Sequence, residues 1–244
     1  MNDRSNDTES RLVRIERLLE SGEREVAPAW RRATHGEPRW AVTAAVLAAV
    51  ALQLKLPERL TLLPFGVLPA LEVVLLIGLA VANPRRVEPR NKRLRSLGLA
   101  LIGLISLTNG WAAAQLVREL VNGSAGSDPA NLLLTGGNIW LTNVIVFALW
   151  YWELDRGGPA NRMMGRHQFA DFLFVQMQSP ESARPDWEPA FLDYLYLSFT
   201  NSTAFSPTDV MPLSRWAKML MLLQSTVSLM TVVLVVARAV NILK

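Results

Sequence analysis

Apolar positions in this chain fall in long blocks separated by polar or charged stretches. The blocks run from about Trp40 to Leu54, Leu62 to Asn83, Leu97 to Val117, Leu132 to Trp152 and Leu213 to Ile242. A membrane-spanning helix needs roughly 20 mostly apolar residues, so each block predicts a span, the first at the short end of the range. The last block reaches roughly 40 Å at 1.5 Å per residue, enough to cross with tilt. Trp150-Tyr151-Trp152 closes the fourth block, and clustered aromatic side chains favour a membrane–water interface.

The polar stretches set the organisation. Residues 1–39 carry equal numbers of acidic and basic residues, and Leu12, Ile15 and Leu19 share one helical face. They predict a short amphipathic helix on the membrane or on a neighbouring subunit. A tight turn covers 55–59. The loop 84–96 holds Arg85, Arg86, Arg90, Lys92, Arg93 and Arg95 against Glu88 alone, and a Gly/Ser/Asp/Pro linker covers 122–130. Residues 154–187 form a long polar connector: Gly157-Gly158-Pro159 breaks the helix, and Pro180, Pro185 and the charges forbid a span. A half-helix follows over 189–203, with Asp186 as its cap and Pro189 in its first turn.

Half of the 244 residues are hydrophobic and mean hydropathy is positive, which places the chain among integral membrane proteins. Cysteine is absent, so a disulfide, a thiolate nucleophile and a thiolate metal site are excluded. Only His35 and His167 offer imidazole. The net charge of +4 is concentrated in the loop 84–96, where it reports orientation before any nucleic-acid partner. The first apolar block follows a highly charged leader, so a cleavable signal peptide is not expected.

The stretch from Tyr194 to Arg238 carries the most specific pattern. A short amphipathic helix passes through a polar turn with Pro207 and Asp209 into a long apolar helix. It resembles the pore region of two-transmembrane potassium channels, in which a pore helix ends in T-V-G-Y-G-D, followed by a proline and the inner helix. Laid without a gap, Ser198-Phe199 matches the pore-helix S-F, Thr203 the first filter threonine, Asp209 the post-filter aspartate and Pro212 the proline. Ala237-Arg238 matches the A-R near the end of many bacterial inner helices. The resemblance covers the last fifth of the chain, with the fourth block as outer helix. It implies a homotetramer in which each subunit contributes one loop to a cation pore. Together with DRGGP at 155–159, the SFTNSTAFSPTD segment is also similar to bacterial membrane proteins with the same signature, which implies a multi-pass protein of the bacterial inner membrane.

The filter itself departs from the family. A potassium filter replaces the ion's water shell with rings of backbone carbonyls, and two glycines let alternate residues take φ > 0. Here the hexapeptide is Ala204-Phe205-Ser206-Pro207-Thr208-Asp209. Both glycines are gone, Thr208 is β-branched, Pro207 fixes φ near −65° and Ala204 lacks the hydroxyl of the innermost site. A standard potassium filter is therefore not expected. Three arrangements remain open: an apolar ring of Phe205 that gates by dewetting; a wider hydrated opening lined by Ser206 and Thr208 with Asp209 at its mouth; or a plain loop with Phe205 packed behind it, which conducts nothing.

Other polar groups lie inside apolar blocks. Gln224, Ser228, Thr231 and Arg238 fall at offsets 0, 4, 7 and 14 on one helical face. Such a stripe lines a pore in a tetramer, or its hydroxyls bond their own helix and let neighbours approach closely. Glu72 sits within the second block, where an ionisable group marks either a functional site or a hydrogen-bonded packing contact. Asn109, Gln115, Asn138 and Asn143 are its candidate neighbours. Gly136-Gly137 predicts close helix packing. His167 and Asp171 stand four apart without a second histidine, and no nucleophile-elbow or phosphate-cradling motif is present. No enzyme activity, cofactor or metal is expected.

The sequence thus predicts an all-α membrane protein of about five transmembrane helices plus a re-entrant pore helix, with six full spans as the alternative. Its parts are a polar segment 1–39, a three-helix membrane region 40–121 and a pore-like region 132–244: outer helix 132–152, connector 154–187, pore helix 189–203, filter-like turn 204–209 and inner helix 213–242. Placing the basic loop 84–96 in the cytoplasm puts the connector there too, so the pore turn faces inward, the reverse of a potassium channel. Either the loop dips from the cytoplasmic side, as the resemblance to the inverted pores of glutamate-receptor channels allows, or residues 189–207 cross fully. The expected function is a homotetrameric monovalent-cation pore with a modified filter, in contact with membrane lipids and no nucleic acid. The alternatives are a non-conducting membrane scaffold on the same fold and a transporter using Glu72.

Overall fold

The apolar blocks fold as helices: α1 (Trp40–Gln53), α2 (Val67–Ala82), α3 (Lys92–Val121), α4 (Pro129–Leu154) and α8 (Arg215–Ile242). Between α4 and α8 come the short α5 (Pro159–Met163) and α6 (Val175–Gln178), then the 13-residue α7 (Phe191–Thr203). A small antiparallel ladder pairs β1 (Phe172–Leu173) with β2 (Met211–Pro212). The structure is a computed structural model and describes residues 30, 37, 39–64, 66–82, 92–126, 128–165, 169–203 and 209–242. The amphipathic segment expected within 1–39 and most of the basic loop lie outside these residues.

Three helical stretches are long and apolar enough to cross a membrane: Arg93–Val121, Pro129–Gly157 and Arg215–Ile242. The helices α1 and α2 are apolar but shorter, at 14 and 16 residues. The second block does not extend from Leu62 as one helix. A 3-10 turn at Glu58–Leu60 precedes it, the left-handed Gly66 (φ +85°) lies within its first part, and α2 begins only at Val67. Pro69 is tolerated because the first-turn N–H groups of a helix have no internal partner. The third block overruns its expected ends because the flanking residues, though polar, are good helix formers. Asp128 caps α4 by accepting from the Ala130 N–H at 3.0 Å, with Pro129 opening the first turn.

The centre of the molecule is α4. It packs against α8, α7, α1 and α3, and most of its residues from Thr142 to Glu153 are buried. One apolar core joins α1, α4, α7 and the connector. A second joins α3, α4 and α8 near the 55–60 turn. The contact of α4 with α8 is close at Gly136, where an added Cβ would stand 2.7 Å from a Val235 methyl. Gly137 faces open space, so one glycine of the pair does the packing. Gly136→Ala should cost about 1–3 kcal/mol by overpacking, and Val235→Ala in the same chain should recover most of it. Thermal unfolding in detergent of the two single variants and the double checks this; strictly additive losses would contradict the close contact.

Candidate functional site: a half-length helix and its polar anchor

The position of α7 is fixed by hydrogen bonds along α4. At its start, the Phe191 N–H donates to Glu37 Oε1 at 2.6 Å, and the Trp152 indole N–H donates to Glu37 Oε2 at 2.8 Å. One turn on, the Tyr194 hydroxyl donates to Asp155 Oδ2 at 2.6 Å. Ser198 Oγ then donates to the Val144 carbonyl at 2.6 Å, and Phe199 sits edge-on to Trp140 with centroids 5.8 Å apart. The helix therefore descends antiparallel to α4 from its carboxyl end and stops near its middle, after about 20 Å at 1.5 Å per residue.

By residue 211 the chain is back at the end where α7 began. There β2 pairs with β1, the Leu213 N–H donates to the Asp171 carbonyl at 2.8 Å, and the Trp216 indole donates to Asp171 Oδ1 at 2.9 Å. From that end α8 runs the length of α4, past Asn143 and Gly136, to where Arg238 Nη2 donates to the Gly123 carbonyl at 3.2 Å. Both ends of the segment 191–211 thus lie at one end of α4.

A buried polar cluster holds its base. The Asp155 side chain is fully buried and accepts from the Tyr194 hydroxyl, the Asp171 and Phe172 N–H groups and Arg156 Nε. Arg156 takes a left-handed conformation (φ 51°), uncommon outside glycine. Its N–H donates to Asp171 Oδ2 at 2.8 Å, and its guanidinium donates to the Trp30 carbonyl at 2.7 Å. Arg162 donates to the carbonyls of Trp152 and Asp155 and stacks over the Trp152 and Tyr194 rings. Gly158 is required here: its φ is +98°, and a Cβ would stand 2.8 Å from the Glu153 carbonyl. Each buried charge has partners, so the cluster is an anchor rather than a source of free acid or base.

The helix cap differs from the expected one. Asp186 is exposed, and α7 begins at Phe191 with Glu37 receiving its first N–H; Asp193 receives the Ala190 N–H at 2.8 Å. Burial pushes the Glu37 carboxyl above the usual carboxylate range, against the lowering effect of its two N–H donors. Basic residues crowd this end: Arg95 pairs with Glu153 at 3.3 Å, beside Arg156 and Arg162.

The predicted pore residues divide. Ala204, Phe205, Ser206, Pro207 and Thr208 lie outside the described residues. Thr203 is exposed on the last turn of α7, its hydroxyl donating to the Phe199 carbonyl at 2.9 Å, and Asp209 is half-buried at the return. The stripe on α8 is not on an open face. Gln224, Ser228 and Thr231 are at most 2% exposed and face α4 and α7 within the same chain. Gln224 Oε1 accepts from Tyr151 and Asn201 at 2.5 and 2.9 Å, while its Nε2 donates to Ser198 and Ser202. Asn143 donates to Ser228 at 3.0 Å, and Thr231 bonds its own helix at Val227. The expectation that this stripe lines a pore is corrected accordingly: these polar groups close the seam between helices, where unpaired they would be costly.

Glu72 is fully buried, and Thr108 and Gln53 are the side chains beside it. Of its expected neighbours, Asn143 bonds Ser228 instead. Among the described residues no group of three His, Cys, Asp or Glu side chains is placed to hold a metal; His35 and His167 lie outside them. Sequence reasoning missed Asp155, Arg156, Arg162, Asp171 and Glu37. The available signal was an Asp-Arg pair abutting an apolar block.

No family model matches the chain, and neither a curated protein nor a solved structure matches it.

Proposed function

We propose that the chain is a multi-pass membrane protein of five spans and that α7 is a re-entrant half-helix of an oligomeric pore. The observation that carries this reading is the return of the chain to one end of α4 on both sides of α7. A helix that stops in mid-bilayer leaves its last carbonyls unpaired. Irregular backbone at such depth is tolerated only against other protein or a water-filled cavity. In one chain, α7 leaves Leu192, Tyr196 and Phe199 exposed along one face, and the outer face of α8 is open from Met219 to Val240. Further copies around an axis cover those faces and surround the turn with water. The resemblance to tetrameric channels makes the number four.

The basic cluster at the α7 end places that end in the cytoplasm by the positive-inside rule. The loop then dips from the cytoplasmic side, in the sense of the inverted pores. The carboxyl end of α7, carrying negative potential, points toward the axis and favours cations there. Residues 204–209 form the constriction, with Asp209 at its mouth. Monovalent cations pass without strong selection for potassium.

A second reading rests on the buried stripe. With Gln224, Ser228 and Thr231 turned inward, the outward face of α8 is apolar, as suits a scaffold that conducts nothing. Planar bilayers with purified protein separate the two. Unitary cation currents that fall on Asp209→Asn and change on Phe205→Ala support the pore. Silent bilayers containing an intact tetramer overturn it in favour of the scaffold.

A further inference from the structure

Glu72 sits in a site that is chemically incomplete as the chain folds alone. Its carboxylate is fully buried, and no ion pair joins it among the described residues. Oε2 has no hydrogen-bond partner, and neither does the Nε2 of the neighbouring Gln53, itself 5% exposed. Oε1 lies 3.4 Å from Thr108 Oγ1, a long contact. The Thr108 hydroxyl is also 2.9 Å from the Ile105 carbonyl of its own helix. It has one hydrogen, and the shorter backbone contact takes it. Glu72 and Thr108 therefore present lone pairs to each other.

Two facing acceptors beside an unpaired buried carboxylate call for a positive charge between them, because buried charges in proteins are paired or coordinate a cation. A cavity of about 30 Å³ adjoins the two side chains beside Glu72, Gln53 and Thr108, and is otherwise lined mainly by Leu56, Leu60 and Leu68 of the α1–α2 turn and α2; Glu72 itself does not line it, so an ion there reaches the carboxylate past Gln53 and Thr108. A single water needs roughly 10–15 Å³, so the cavity admits a small ion or a water or two.

The donor set fixes the kind of ion. The carboxylate, the hydroxyl and, with the amide turned over, the Gln53 carbonyl are all hard oxygen donors, suited to alkali and alkaline-earth ions. One carboxylate balances one charge. A divalent ion would leave an excess positive charge in an apolar surround, at high cost. We propose that Glu72, Thr108 and Gln53 form a buried site for one small monovalent cation, sodium, which competes there with a proton. The site is separate from the α7 hairpin and stands whether or not the hairpin conducts.

The test uses the full chain in detergent and the hydrophobic reagent dicyclohexylcarbodiimide, which attacks protonated carboxyl groups in apolar surroundings. Peptide mass spectrometry reads the modification at Glu72. In choline chloride the label should appear at Glu72. Sodium chloride at equal ionic strength should slow it several-fold. Thr108→Val and Gln53→Leu should still label but lose most of that protection. Equal rates in sodium and choline for the native chain, no label at Glu72 in either salt, or protection that survives both substitutions would each overturn the site. The decisive comparison needs only the native protein, so a variant that fails to fold does not block it.

Discussion

Asp155→Asn is expected to cost about 3–5 kcal/mol, the range for breaking one partner out of a buried ion pair. The carboxylate holds four donors at once: the Tyr194 hydroxyl, two backbone N–H groups and Arg156. Asparagine keeps the shape but presents an N–H₂ group where at least one donor now points. It also removes the charge opposite Arg156, whose side chain is only 2% exposed. The loss acts on the base of the hairpin, since Tyr194 belongs to α7 while Asp171 tethers the start of α8. Thermal unfolding in detergent, followed by intrinsic tryptophan fluorescence, is the measurement. Asp186→Asn, at an exposed position, should stay within about 0.5 kcal/mol of the native chain. Equal stability of the two variants would mean that the cluster anchors nothing.

Gln224→Leu is expected to cost about 3 kcal/mol. Hydrogen bonds between helices in lipid average only about 0.6 kcal/mol each, because the separated helices find other partners. Gln224 makes four, accepting from Tyr151 and Asn201 and donating its two amide hydrogens to Ser198 and Ser202. Their sum sets the estimate, and the unpaired Tyr151 hydroxyl adds to it. Leucine matches the volume, so the effect is not a cavity effect. Thr226→Val serves as the contrast: Thr226 is exposed and bonds only its own Leu222 carbonyl, so that variant should be nearly neutral. Denaturation by a harsh detergent, with the native fraction read by tryptophan fluorescence, compares the two. If Gln224 instead lined an open lumen, leucine there would leave stability unchanged and alter conduction alone.

The helices were legible because apolar length is a one-dimensional signal. The half-helix was legible too, since Pro189, a short amphipathic run and the turn residues after Thr203 bracket it. The direction of the polar stripe on α8 was not. Periodicity places Gln224, Ser228 and Thr231 on one face, yet a face turned to a lumen and a face turned to α4 have the same spacing. Only the partners on α4 and α7, Tyr151, Asn143, Ser198 and Asn201, decide it. The anchor was hidden for a related reason. Asp155, Asp171 and Glu37 are far apart in the chain, and each alone reads as a loop charge. The pairing of β1 with β2 rests on two residues per strand, too few for any alternation to show. Gln53 and Thr108 were missed beside Glu72 because the amide side chains on α3 and α4 outnumber them in the apolar blocks.

The hairpin geometry is decided by sidedness. The native chain has no cysteine, so single cysteines can replace Asp186 before α7, Arg215 after it and Asp128 at the opposite end of α4. An impermeant thiol reagent is applied to sealed vesicles of one orientation. The expected result is that Asp186→Cys and Arg215→Cys react from the same side and Asp128→Cys from the other. Reaction of Asp186→Cys and Arg215→Cys from opposite sides would show that residues 189–207 cross the membrane completely, and the pore hairpin would not exist.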